Sequence, residues 1–227
     1  MKFIVFGLGN YGSSLGRKLV ELGHEVFGVD LSNERVEKMK NRFTYTVAMD
    51  ATNRDAIQGL PLKEVDMVVI AIGENEGTII LLAALLKQNG VKRIICRVTS
   101  TLQKAILESM GLTEFVYPEL DSAERNAYTF DFREVLDSHR ICEQYQVAEV
   151  LLPGRYAEVK ISAIDFENKY KIQLISVKRV IEDRNIIGVM RKKKKTLGKV
   201  GTDLVLHLGD SLILFGESKR IGEFLLE

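Results

Sequence analysis

The feature that most constrains this chain is a glycine spacing at its start. A β-rich run, Lys2–Phe6, leads directly into Gly7-Leu8-Gly9-Asn10-Tyr11-Gly12, and a helical pattern follows at once. Glycines at this spacing matter only between a strand and a helix, and that is where they stand. Gly7 permits the tight turn out of the strand. Gly9 has no side chain, so backbone can approach a pyrophosphate. Gly12 lets the helix pack close to the first strand. The helix start then offers free N–H groups and the positive end of its dipole to phosphate. Ser13 and Ser14 add hydroxyl donors, and Gly16 reads as a packing residue.

The alternation then repeats. Residues 11–22 have helical spacing, with Leu15, Leu19 and Leu22 on one face, and Gly23 stops them. Strands are expected at 25–29, 44–49, 67–72, 93–97 and 114–116. Helices are expected at 33–40 (capped by Ser32, with Arg35 on its solvent face), 53–58, 74–87 and 99–110. A helix between each pair of strands forces parallel pairing, because a parallel strand needs a long crossover. The fold class is therefore α/β, a Rossmann-like doubly wound parallel sheet over residues 1–118, with a second, smaller α+β domain behind it. Met67-Val68-Val69-Ile70 is apolar throughout, as a strand covered on both faces should be.

Asp30 ends the second strand, eighteen residues after Gly12, and Leu31 follows it. A carboxylate there accepts both ribose hydroxyls of an adenosine and repels a 2′-phosphate. The expected ligand is NAD(H), ADP or ATP rather than NADP(H). Asp50 and Ala51 end the third strand, near where adenine sits in such folds. The sequence leaves open whether Asp50 faces the ligand or caps the helix after it. Ala71-Ile72-Gly73 ends the fourth strand beside the same crevice. With Asn10 and Tyr11 of the turn, these are the candidate cofactor-binding residues.

The pattern changes after Pro118. Residues 119–143 read as a crossover helix and linker, polar except for Tyr128-Thr129-Phe130-Asp131-Phe132, an aromatic cluster expected to be covered. It either packs on its own domain or crosses to a second subunit. From 144 to 227 the chain reads as a small α+β domain with mixed strand pairing. Its strands are expected at 147–152, 172–180, 186–190 and 212–215, with a short helix at 222–226. Asp183-Arg184-Asn185 reads as a turn. The basic run 191–195 reads either as a solvated hairpin tip or as a contact for anionic lipid heads, an acidic nucleotide or an acidic partner.

Composition narrows the function. The net charge is +1, with 32 basic and 31 acidic residues, so nothing argues for nucleic acid as a partner. No apolar run approaches the roughly 20 residues that span a bilayer, and no leader is expected, so the chain reads as soluble and cytoplasmic. Cys96 and Cys142 do not form a zinc spacing, and Cys96 reads as a small buried hydrophobe. His24, His139 and His207 have no evident acidic partner in sequence. A dehydrogenase needs a second domain with an acid–base group. The residues after Pro118 offer no such constellation, so no catalytic residue is assigned. An NAD-dependent oxidoreductase with a small substrate domain is the alternative reading.

The ordered set Phe6-Gly7-Leu8-Gly9-Asn10-Tyr11-Gly12, Gly28-Val29-Asp30, Asp50-Ala51-Thr52, Val69-Ile70-Ala71-Ile72-Gly73 and Val116-Tyr117-Pro118-Glu119 resembles the regulator of potassium conductance (RCK) N-terminal domain of Trk/Ktr potassium-uptake systems. Gly201-Thr202-Asp203-Leu204 and the stretch Leu208-Gly209-Asp210-Ser211-Leu212 are similar to that family's C-terminal domain. The resemblance implies a non-enzymatic, nucleotide-binding gating subunit, cytoplasmic and peripheral to the inner face of the membrane. It implies dimers assembling into an octameric ring beneath a membrane potassium-translocating subunit. It also implies NAD(H), ADP or ATP at the glycine turn, a divalent cation or sodium at Glu119 in a subunit interface, and, in some members, cyclic di-AMP at the C-terminal domain. Some ATP-responsive relatives carry Arg where this chain has Asn10. Asn is neutral and shorter, a weaker partner for a terminal phosphate.

Overall fold

The computed structural model describes residues 1–184 and 190–226. The chain divides into two compact units, Met1–Glu119 and Leu120–Glu227.

The first unit alternates strand and helix: β1 (Lys2–Phe6), α1 (Asn10–Glu21), β2 (Glu25–Asp30), α2 (Asn33–Met39), β3 (Tyr45–Ala48), α3 (Arg54–Gln58), β4 (Met67–Ile70), α4 (Glu76–Gln88), β5 (Ile94–Arg97), α5 (Thr101–Ser109) and β6 (Glu114–Val116). The six strands are parallel, in the order β3-β2-β1-β4-β5-β6. The order reverses between β1 and β4, and such a reversal opens a crevice at the strands' carboxyl ends.

Side-chain alternation builds two cores from one sheet. Phe3 and Val5 of β1, with Met67 and Val69 of β4, face Leu15, Leu19 and Val36 of α1 and α2. Ile4, Phe6, Val68 and Ile70 point the other way, onto Ile57, Leu82, Leu86 and Leu107 of α3, α4 and α5. Each fully buried side chain of this size contributes about 2 kcal/mol. Phe43 fits where two glycines make room. A Cβ on Gly16 would lie 2.3 Å from its ring, and one on Gly28 2.7 Å.

The second unit begins on α6 (Pro118–Asp131), whose proline stands in the first turn, where its missing N–H costs nothing. It continues through β7 (Val135–Arg140), β8 (Tyr145–Leu151), β9 (Gln173–Arg184), β10 (Met190–Thr196), β11 (Ser211–Glu217) and α7 (Ser218–Leu226). The sheet order is β10-β9-β11-β8-β7. Every pairing among the described residues of this sheet is antiparallel, not mixed as expected, and no α-helix among them lies between successive strands of it to serve as a parallel crossover. One face packs Val150, Val177, Leu212 and Leu214 against Ile221 and Phe224 of α7.

Several local expectations change. Residues 135–140 form an edge strand rather than linker; only Val135 and Ser138 of it are buried, so its sequence shows no strand-like alternation of apolar residues. The basic run does not lie at a hairpin tip. It lies within β10 and pairs along β9, with Lys193 opposite Ile181 and Lys195 opposite Arg179. Asp183 and Arg184 belong to β9 rather than to a turn, while Asn185 and residues 186–189 lie outside the described residues. In the aromatic cluster, Tyr128 and Phe132 pack on the second core, and the Tyr128 hydroxyl donates to Ser218 O at 3.0 Å. Phe130 is 81% exposed, against expectation.

Candidate functional site

The glycine turn has the geometry its sequence demands. Gly7 sits at φ +92°, a conformation that side chains resist. Its N–H donates to Val29 O at 2.7 Å. A Cβ on Gly12 would lie 1.9 Å from Gly7 O, so only glycine lets α1 start this close to β1. Gly9 occupies the N-cap of α1 with extended backbone and provides no side-chain cap. The first N–H groups of α1 are therefore left for another acceptor.

Asp30 ties the second strand to this turn. Its Oδ2 accepts from Leu8 N at 2.6 Å, and its Oδ1 accepts from Ser32 N at 2.8 Å. Asp30 is buried, yet it lines the crevice. Asp50 is an open carboxylate at the end of β3. The N–H and hydroxyl of Thr52 both donate to its Oδ1, and these bonds hold its pKa below the ordinary value. Asn53, not Asp50, caps α3, accepting from Asp55 N and Ala56 N. The cap reading of Asp50 therefore falls away.

The crevice has a volume of about 760 Å³. Gly7, Gly9, Asn10, Tyr11 and Asp30 line it with Leu31, Asp50, Ala51, Ala71, Ile72, Gly73 and Glu119. Ser13 lines the crevice, but Ser14 does not, and its hydroxyl accepts from Arg17; Gly12 does not line it either and works from beneath, by packing. Asn75 lines the rim while capping α4 through Thr78 N.

Two arginines complete the crevice, and their role was not legible in sequence. Arg35 is exposed, as expected, but its Nη1 also lies 3.6 Å from Asp30 Oδ2, and it lines the crevice. Arg97 ends β5 and sits largely covered, with its guanidinium 5.9 Å from the centre of the Tyr11 ring. Its Nη1 is 3.4 Å from Ala71 O, its Nη2 donates to Glu119, and its buried Nε has no partner. A Cβ on Gly73 would lie 2.5 Å from Arg97 Nη1, so Gly73 is what admits this side chain. Neither arginine has a local sequence pattern; each is found only by the strand order that carries it to the crevice.

Elsewhere the groups are structural. Cys96 is buried, and burial pushes its thiol up to about 12, which removes it as a nucleophile. His207 does have an acidic partner, contrary to expectation: its Nδ1 lies 2.9 Å from Glu158 Oε1. No three candidate metal ligands gather among the described residues, and Glu119 is held by Arg97. No helix among the described residues is long and apolar enough to cross a membrane.

A parallel sheet that reverses at β1/β4, with a bare helix start and a ribose-height carboxylate at that point, defines a Rossmann-type crevice protein. The chain belongs to the TrkA-N domain family, whose model matches residues 3–118. It is 30% identical to the Ktr system potassium uptake protein C of Bacillus subtilis (strain 168), covering 98% of this chain and 95% of that one. Among solved structures, the NAD(P)-binding domain of an exopolyphosphatase-related protein from Archaeoglobus fulgidus is 26% identical. It has a TM-score of 0.50 and covers 57% of this chain and 95% of its own. The GsuK RCK domain superposes on 99% of this chain at a TM-score of 0.63 and 17% identity, a likeness of fold; this chain spans 47% of its length.

Proposed function

We propose that the crevice binds an adenine nucleotide and that the chain is a non-enzymatic regulatory subunit of potassium uptake, passing nucleotide occupancy to a membrane ion-translocating subunit. The observation that carries the binding half is the Leu8 N–Asp30 bond, which sets a ribose acceptor beside a bare helix start. Similarity along the whole chain to a Ktr potassium uptake protein supports the regulatory half. Asp30 favours NAD(H) or ADP over 2′-phosphorylated nucleotides. Asn10 offers no charge to a terminal phosphate, and Arg97, which also lines the crevice, does.

Nucleotide shifts the subunit only by binding one conformation more tightly than another; a coupling of about 1–3 kcal/mol is typical. The reading includes a cytoplasmic position at the inner face of the membrane and a homo-oligomer built from dimers to an octameric ring. A cation at Glu119 would need ligands from a second copy and release from Arg97. Cyclic di-AMP at the second unit is supported by family resemblance alone.

Calorimetric titration of the purified chain with NADH, ADP and ATP tests the proposal, with NADH absorbance followed over hours. Saturable binding without turnover is expected. Absence of binding to all three would refute the nucleotide reading, and steady NADH oxidation would favour the oxidoreductase. Co-purification with a membrane potassium transporter tests the partner.

A further inference from the structure

The second sheet narrows to two strands where its basic residues lie. β11 pairs with β9 only over Gln173–Lys178, whereas β10 pairs with β9 from Lys178 to Arg184. Beyond Lys178 the β9–β10 pair therefore runs on as a ribbon with no third strand among the described residues. A two-stranded ribbon is marginal in water and gains from a surface to lie against. Charge is concentrated on it. Residues 179–195 hold seven basic and two acidic residues, a net +5 in a chain whose whole net charge is +1, so the rest of the chain carries −4. Lys193, Lys194 and Lys195 are all exposed. Register puts Lys193 and Lys195 on one face, opposite Ile181 and Arg179, and Lys194 on the other, opposite the exposed Val180. At the root of the ribbon, Lys178 and Arg179 are already paired, with Glu149 and Asp210. Lys193 and Lys195 make no ion pair among the described residues, so their charge is open to a partner.

We propose that the β9–β10 ribbon docks on an anionic lipid surface, a membrane contact of the chain's own that depends neither on the nucleotide crevice nor on a membrane subunit. A second copy of β10 added to this edge would set lysines opposite lysines, and like charges directly opposite are destabilising. An acidic peptide adding as a strand would need carboxylates on successive residues, and Asp and Glu are poor strand formers. A sheet of anionic headgroups needs no register. Lysine stems from both faces of a ribbon can reach one plane, with their methylenes laid along it and their ammonium groups at the phosphates. Each lysine held there strengthens binding roughly fivefold, and salt weakens the contact.

The experiment is co-sedimentation of the full chain, without nucleotide, with vesicles of phosphatidylcholine alone and of phosphatidylcholine mixed with phosphatidylglycerol. The wild type is compared with the triple variant Lys193→Gln, Lys194→Gln, Lys195→Gln. A control with the same change in net charge, Lys18→Gln, Lys63→Gln, Lys92→Gln, removes exposed lysines of the first unit. Thermal melting reports the fold of each, and if the ribbon triple does not fold, single Lys→Gln changes at 193 and 194 replace it, each expected to weaken binding about fivefold. The wild type is expected to bind the anionic vesicles and not the neutral ones, with the ribbon triple about a hundredfold weaker and the control near wild type. Absence of wild-type binding at low salt overturns the proposal, as does equal binding to neutral vesicles. So does a folded ribbon variant that binds as tightly as wild type, or a control that loses as much as the ribbon triple. Binding to polyglutamate or duplex DNA tighter than to the anionic vesicles, and lost in the ribbon triple, would assign the ribbon to that partner and overturn the lipid reading.

Discussion

The backbone N–H of Leu8 donates to the carboxylate of Asp30 at 2.6 Å, so the phosphate turn and the ribose acceptor are one hydrogen-bonded unit. The chain separates these residues by a whole helix, and the parallel pairing of β1 with β2 brings them together.

Asp30→Ala therefore acts on stability as well as on binding. It leaves the buried Leu8 N–H without its acceptor, which costs about 1–3 kcal/mol. The expected result is a lower denaturation midpoint together with at least tenfold weaker NAD and ADP binding. An unchanged midpoint in urea would show that the turn does not depend on this bond.

Gly12→Ala is expected to destabilise by a similar amount and to remove binding altogether. Its Cβ would meet the carbonyl oxygen of Gly7, which is backbone and has no rotamer to change. Overpacking of this kind costs about 1–3 kcal/mol. Urea denaturation should show that loss, with nucleotide binding abolished even in the folded fraction. Full retention of binding would mean that α1 can retreat from β1.

Arg97→Met is expected to reduce ADP and ATP affinity about tenfold while leaving the melting temperature little changed, because its main partner, Glu119, is exposed at the surface. Asn10→Arg should shift preference toward ATP. Calorimetry on the two variants and the double variant decides whether positions 10 and 97 serve the same phosphate. A flat ATP/ADP ratio in Asn10→Arg would remove position 10 from that role.

The second unit carries a pH-dependent clamp. Asp210 is buried, and burial works to raise its pKa. The hydrogen bonds from Arg179 (2.9 and 2.6 Å) and from His207 N (2.9 Å) outweigh it and hold the carboxyl below the ordinary range. A depressed folded pKa contributes stability above the unfolded value near 3.8 that is lost as pH falls through the folded value. Denaturation at pH 7, 4 and 3 should show the loss below pH 4, and Arg179→Met should flatten that acid limb.

The first unit was largely legible because its signals are local. Short continuous apolar runs, glycine stops and the cap Ser32 each act within a few residues. The turn residues, Asp30 and Gly73 were legible for the same reason. Arg97 was not. Its meaning comes from Tyr11, Ala71 and Glu119, which meet it only through the strand order. Arg35 looked like a surface charge, because helix periodicity does not tell which cation bends toward a neighbouring carboxylate. The second unit was read less well. The basic residues of β10 resemble a loop, and only pairing with β9 makes them a strand, where lysine also discourages further strands from adding at the sheet edge.

Phe43 and the two glycines beneath it carry a consequence for descent. Because Gly16 and Gly28 both face one ring, none of the three positions can drift alone. An alanine at 28 is tolerable only where residue 43 has already shrunk, and a Phe at 43 forbids growth at 16. Homologues should change these positions jointly, so that a variant blending two lineages at this corner would fold poorly even though each parent folds well.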